Sequence, residues 1–279
     1  MLRDITIATP DARLRVTQSD GPGLPIIMLH GSGSSREAFG RQLESPLALG
    51  NRLVAIDLPG HGGSSDAEDP AAYTLPALAS TITTAIEALK IDRFIVLGWS
   101  MGGHVGMEMI GHPGMIGLIA CGAPPIAHGP LSMLMAFKPS WDMRLARKEE
   151  FTDRDVARYF SLCFGRGATP ELLTAIRRAD GRARVAMLSS MMRGEFKDER
   201  SAVLNADIPI ALINGREDPF VRLGYFDGLA SSALWHGMPM VIEDAGHAPF
   251  WDQPDAFNSL LAAFAEEAPS FRVATRKVA

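Results

Sequence analysis

The chain has 279 residues, 47% hydrophobic and 21% charged, and its 27 basic and 32 acidic side chains leave a net charge of −5. That length suits one large α/β domain, or a core carrying an insertion, with a well-buried centre. A mildly acidic surface argues against nucleic acid or an anionic membrane as partner, because both are held through clustered Lys and Arg. The basic run from Arg144 to Lys148 is offset by Glu149 and Glu150 and reads as a solvated helix face. Charge recurs every few residues from Met1 to Val16, so no signal peptide is expected there, and no later apolar run reaches membrane-spanning length. Cys121 and Cys163 fit no metal or C-x-x-C spacing and read as buried free thiols of a reducing cytosol, which makes a cytoplasmic protein the expectation.

In chain order, Ile5 to Val16 predicts two short strands around Thr9-Pro10-Asp11, followed by a turn cluster at residues 19–23. Pro25 to His30 is almost wholly apolar, as a strand covered on both faces should be, and runs into Gly31-Ser32-Gly33-Ser34-Ser35. Free backbone N–H groups in such a loop suit a phosphate site or an oxyanion hole. The phosphate reading is poor, because neither glycine-rich phosphate fingerprint occurs here. A helix is predicted over Arg36 to Leu49, a strand over Arg52 to Ile56 and a helix over Leu75 to Leu89. The apolar run Phe94 to Leu97 then meets Gly98-Trp99-Ser100-Met101-Gly102, and a further strand spans Met115 to Ala120. Alternating strands and helices mean a parallel, doubly wound sheet whose reactive loops lie at the carboxyl ends of its strands.

From Ile126 to Ala206 the apolar residues recur at helical spacing, with breaks at Pro130, Pro139, Gly165-Arg166-Gly167 and Gly194. The organisation expected is therefore a core of residues 1–125 and 206–279, with a helical cap at 126–205. The cap's large soft residues, including Met133, Phe137, Trp141 and Phe164, would mostly form its own core and in part line an adaptable apolar pocket. Strands resume at Pro209 to Ile213 and Met238 to Glu243, and a last helix runs from Pro254 to Ala265, ahead of a peripheral tail at 269–279.

A strand, sharp turn and helix around G-x-S-x-G make a nucleophile elbow and Ser100 the candidate nucleophile. A serine hydroxyl needs a base within hydrogen-bond reach, itself oriented by a carboxylate. Of seven histidines, His247 sits just past the last strand. His30 and His61 lie in glycine-rich loops where a structural role is expected, His104 lies on the elbow helix, His112 and His128 lie beyond it, and His236 precedes the last strand. Asp218, followed by Pro219 at the preceding strand's end, is the first choice for the acid, with Glu217 second and Asp244 third. The order serine, acid, histidine is that of the α/β-hydrolase arrangement.

The chain resembles the α/β-hydrolase superfamily through His30-Gly31, the stretch Asp57 to Gly62, the elbow, Gly215 to Asp218, and Gly246-His247. The resemblance implies an oxyanion hole from the N–H groups of Ser32 and Met101. A closer resemblance is to the α/β-hydrolase-type N-acyl-homoserine lactonases, the quorum-quenching enzymes. It is carried by Gly98 to His104, Asp180 to Arg184, Asn214 to Val221 and Ala245 to Phe250, and it includes the insertion. In that family the acid is a Glu at the position of Asp218, a cap Tyr near the lactone matches Tyr159, and Asn stands where this chain has Ser32. Gly31 and Trp99 join Tyr159, Met133, Phe137, Trp141 and Phe164 as expected substrate contacts.

The function expected is lactone-ring opening without metal or other cofactor, since no H-x-H-x-D-H or H-E-x-x-H spacing occurs. The partner would be a small-molecule ester or lactone with an apolar acyl chain, and a homodimer stays open. Two alternatives stand beside it: a general carboxylesterase, and a ligand receptor of the same fold with an idle triad. Haloalkane and epoxide hydrolases place Asp where this chain has Ser100.

Overall fold

A computed structural model describes residues 1–165 and 169–272, without the side chains of Pro130, Trp141 and Met143. Eight strands form one sheet in the order β1-β2-β4-β3-β5-β6-β7-β8. β1 (Leu2–Ala8) and β2 (Arg13–Ser19) make an antiparallel hairpin that joins the sheet edge-on to β4 (Asn51–Ile56), again antiparallel. From there β3 (Gly23–Leu29), β5 (Phe94–Trp99), β6 (Met115–Cys121), β7 (Ile210–Gly215) and β8 (Met240–Ile242) run parallel. Their carboxyl ends share one edge, which brings together loops far apart in sequence.

Alternation along the strands divides the core between the two sheet faces. Ile27, Leu29, Val54, Ile56, Val96 and Leu118 pack on one side, with α3 (Leu75–Ala88) and α4 (Met101–Glu108). Ile26, Met28, Leu53, Ala55, Leu97 and Ile119 pack on the other, with α10 (Pro249–Asp252) and α11 (Pro254–Glu267). The helix predicted over Arg36 to Leu49 is three pieces: a 3₁₀ turn at Arg36–Phe39, then α1 (Gly40–Leu43) and α2 (Leu47–Gly50). Pro46 lies between them, where a continuous helix would need the N–H that proline lacks.

Between β6 and β7 come α5 (Pro130–Ala136), a 3₁₀ segment at Trp141–Arg147, α6 (Asp153–Phe164), α7 (Pro170–Arg178), α8 (Gly181–Arg193) and α9 (Glu199–Leu204). A capping box starts α6: the Thr152 hydroxyl accepts from the Asp155 N–H, and the Asp155 carboxylate accepts from the Thr152 N–H. One extended contact was not foreseen in this helical stretch. Phe137 pairs antiparallel with Val221, Lys138 N–H donates to Phe220 O at 2.7 Å, and Arg222 N–H donates to Ala136 O at 2.9 Å. The break expected at 165–167 and the tail beyond residue 272 lie largely outside the described residues.

Candidate active site

Ser100 follows β5 and caps the N-terminus of α4 with φ 51° and ψ −118°, a strained conformation for a residue with a side chain. The turn is possible because its flanking residues lack Cβ. A Cβ on Gly98 would lie 2.1 Å from Gly102 O, and one on Gly102 would lie 2.0 Å from Leu29 O. Ser100 N–H donates to Cys121 O at 2.8 Å, which ties the elbow to the neighbouring strand.

Asp218, on the loop after β7, is fully buried, and its Oδ2 receives the His247 Nδ1 proton at 2.7 Å. Its Oδ1 accepts from the N–H groups of Phe220 (2.7 Å) and Val221 (3.0 Å). Burial alone would raise this carboxyl's pKa, but the His247 imidazole and the two N–H donors overcome it and hold it below the ordinary value. Glu217 and Asp244, the other candidate acids, are exposed. His247 is seated from three sides. Trp99 Nε1–H donates to its carbonyl at 2.8 Å, Phe220 meets its ring edge-on at 4.7 Å, and Trp99 packs against it at 5.6 Å.

On the far side of the serine lies the loop after β3. A Cβ on Gly31 would stand 3.2 Å from Ser100 Cβ, so Gly31 borders Ser100 directly. Ser32 faces the same space, and its carbonyl accepts the Tyr159 phenol proton at 2.9 Å, which anchors the loop to α6. Met101 is the first residue of α4, so its N–H has no acceptor within the helix.

Ser32, Ser100, Met101, Tyr159 and His247 share one cavity of about 120 Å³ with Met133 and Phe137. Trp99 and Phe164 do not line it. Both are buried and packed against each other in a tilted pair at 5.1 Å, so their contribution is to position His247 and α6 rather than to meet a ligand. The Trp141 side chain lies outside the described ones. Reading the sequence missed several lining residues, Phe220, Arg184 and His104 among them. Phe220 follows Asp218 by two positions. Arg184 donates to the carbonyls of Lys148 (3.2 Å) and Glu149 (3.0 Å) and stacks on Phe151 at 3.9 Å. His104 was set aside as a helix residue, yet its Nδ1 is bound to Glu199 at 2.8 Å, and only the 95-residue separation hid that pair.

The model of the Alpha/beta hydrolase family matches residues 26–260. The chain belongs to that family. This hydrolase is similar over 97% of its length to a solved N-acyl homoserine lactonase, AidH, bound to N-hexanoyl homoserine lactone. The identity is 38%, the TM-score is 0.93, and all of that chain is covered. An aryl esterase candidate from Burkholderia cenocepacia is 26% identical over 96% of this hydrolase and all of that chain, with a TM-score of 0.81. Among curated proteins, the AB hydrolase superfamily protein YisY of Bacillus subtilis (strain 168) is 24% identical, over 88% of this hydrolase and 92% of its own length. The fold is that of an α/β-hydrolase, and the chain is an ester-hydrolysing enzyme.

Proposed function

We propose that this hydrolase opens the lactone ring of N-acyl-homoserine lactones, and so acts in quorum quenching, through a triad of Ser100, His247 and Asp218. The observation that carries the reading is the likeness to AidH, which extends through the helical insertion, where hydrolases of different specificity diverge most. The dyad at 2.7 Å supports the triad, because it fixes the imidazole with Nδ1 protonated and leaves Nε2 to act as base. Asp218 is one methylene shorter than the Glu that the resemblance implies, and it reaches the imidazole all the same.

In the reaction, His247 takes the Ser100 proton as Oγ attacks the lactone carbonyl. The oxyanion rests on the N–H groups of Ser32 and Met101, an electrostatic contribution worth about 10²- to 10³-fold in rate per donor. His247 returns the proton to the ring oxygen, which leaves as a hydroxyl still tethered to the acyl group. Water activated by His247 then captures the acyl-enzyme before the ring recloses, releasing the N-acyl-homoserine. The apolar chain would lie against Met133, Phe137, Leu188 and Met191. These four residues also line an adjoining outer groove of about 530 Å³.

A general esterase is the second reading, favoured by the likeness to the aryl esterase candidate. Proton release by the purified enzyme and by Ser100→Ala, on acyl-homoserine lactones of several chain lengths and on simple acyl esters, separates the two. Multiple turnovers favouring the lactones, lost in the variant, are expected. Preference for simple esters would overturn the lactonase reading, and no turnover on either would overturn both.

A further inference from the structure

The cavity holds a second imidazole supported by a buried carboxylate. His104 stands one helical turn beyond Ser100 on α4, its N–H bonded to Ser100 O at 3.2 Å, and its side chain lines the cavity beside Phe137. Its Nδ1 is 2.8 and 3.0 Å from the two oxygens of Glu199, which is fully buried, does not line the cavity and also accepts the Ile126 N–H at 3.0 Å. A carboxylate only accepts, so Nδ1 carries a proton toward Glu199, and Nε2, with no hydrogen-bond partner among the described residues, is the ring nitrogen left to accept from a ligand. His104 is not needed as the base, because His247 already fills that place.

We propose that His104 Nε2 reads a hydrogen-bond donor on the substrate, and that this donor is the amide N–H of the acyl group. The assignment deepens the lactonase reading and rests on it. An unsubstituted N-acyl-homoserine lactone carries a single donor, that amide N–H, on the ring carbon next to the scissile carbonyl. Phe137 beside His104 offers it no acceptor, and the Met133 thioether is only a weak one. A bound lactone without the N–H leaves the acceptor buried and unpaired, which makes the pair a device for selectivity rather than raw affinity.

The test removes the donor from the substrate and the acceptor from the protein. Values of kcat/KM are measured for N-hexanoyl-homoserine lactone and its N-methylated analogue, with wild type and with His104→Gln, which retains a donor for Glu199. The phenyl esters of N-hexanoylglycine and N-hexanoylsarcosine, a matched pair without a lactone, are run alongside. Methylation should cost wild type at least tenfold more than it costs the variant, in both pairs. Equal penalties in the two proteins, or a wild-type penalty below threefold, would overturn the proposal, and the wild-type arm decides even where His104→Gln fails to fold. Turnover of the phenyl esters without turnover of the lactone would sink the lactonase reading alone, and His104 is then judged on the ester pair.

Discussion

At Asp218 two opposing effects meet: burial disfavours its charge, and His247 with two backbone N–H groups favours it more. Because the folded carboxyl ionises below its ordinary value of 3.8, its stabilising contribution is complete above that pH and is lost only as pH falls through the lower folded value. It therefore stays ionised wherever the enzyme works. Asp218→Asn should leave the melting temperature within a few degrees and lower kcat about 10³- to 10⁴-fold, since the imidazole loses its tautomer and orientation. Glu217→Gln, at an exposed carboxylate, should leave kcat within about twofold, and the reverse ranking in steady-state assays would reassign the acid. Tyr159→Phe removes the proton given to Ser32 O, so kcat should fall about 5- to 10-fold with KM nearly constant. A rise in KM alone would make Tyr159 a substrate contact instead. The candidate residues were legible where strand ends announced them, as with Ser100, Asp218 and His247. Glu199 behind His104 and Arg184 beneath Tyr159 were not, because only the folded chain brings such distant positions together.

Among the elements, α8 shows how the insertion holds its shape. Arg184 sends a buried guanidinium to two consecutive carbonyls and lies flat on Phe151, so one side chain joins α8 to the segment ahead of α6. Lysine keeps the charge but lacks the planar fork. Arg184→Lys should therefore lower the thermal midpoint by about 3–8 °C, measured by calorimetry, and an unchanged midpoint would show that this joint contributes little. The core strands were readable from the sequence because residues covered on both faces leave nearly continuous apolar runs. The helix over Arg36 to Leu49 was over-read, since its apolar spacing survives a chain that Pro46 interrupts. Phe137 pairing with Val221 left no trace at all, because one extended residue inside a helical stretch carries no periodicity.

For the molecule as a whole, acid sensitivity is set by two buried histidines outside the proposed triad. His30 donates from Nδ1 to Gly31 O at 2.8 Å and accepts the Leu58 N–H on Nε2 at 3.0 Å, and burial depresses its pKa to about 4. His61, equally enclosed and next to His30, is depressed to about 3. In the unfolded chain both protonate near 6.5, so the unfolded state binds more protons and stability declines as pH falls from 6.5 toward the folded values. The loss from His30 alone should approach about 3 kcal/mol at pH 4, visible as a falling denaturant midpoint. A midpoint constant between pH 7 and 4.5 would contradict it. A doubly wound sheet was legible at this scale from the alternation of strand and helix. The fastening of the insertion to the sheet was not, and that fastening has a bearing on engineering. Tyr159 grips the loop after β3 while residues 136–138 pair with the loop after β7, and Lys138 Nζ adds a bond to Asp218 O at 2.5 Å. The insertion is therefore no interchangeable module. A chimera grafted with a foreign cap would inherit new specificity only if the graft also brought equivalents of these anchor points; without them, the transplant would misalign the machinery it was meant to retarget.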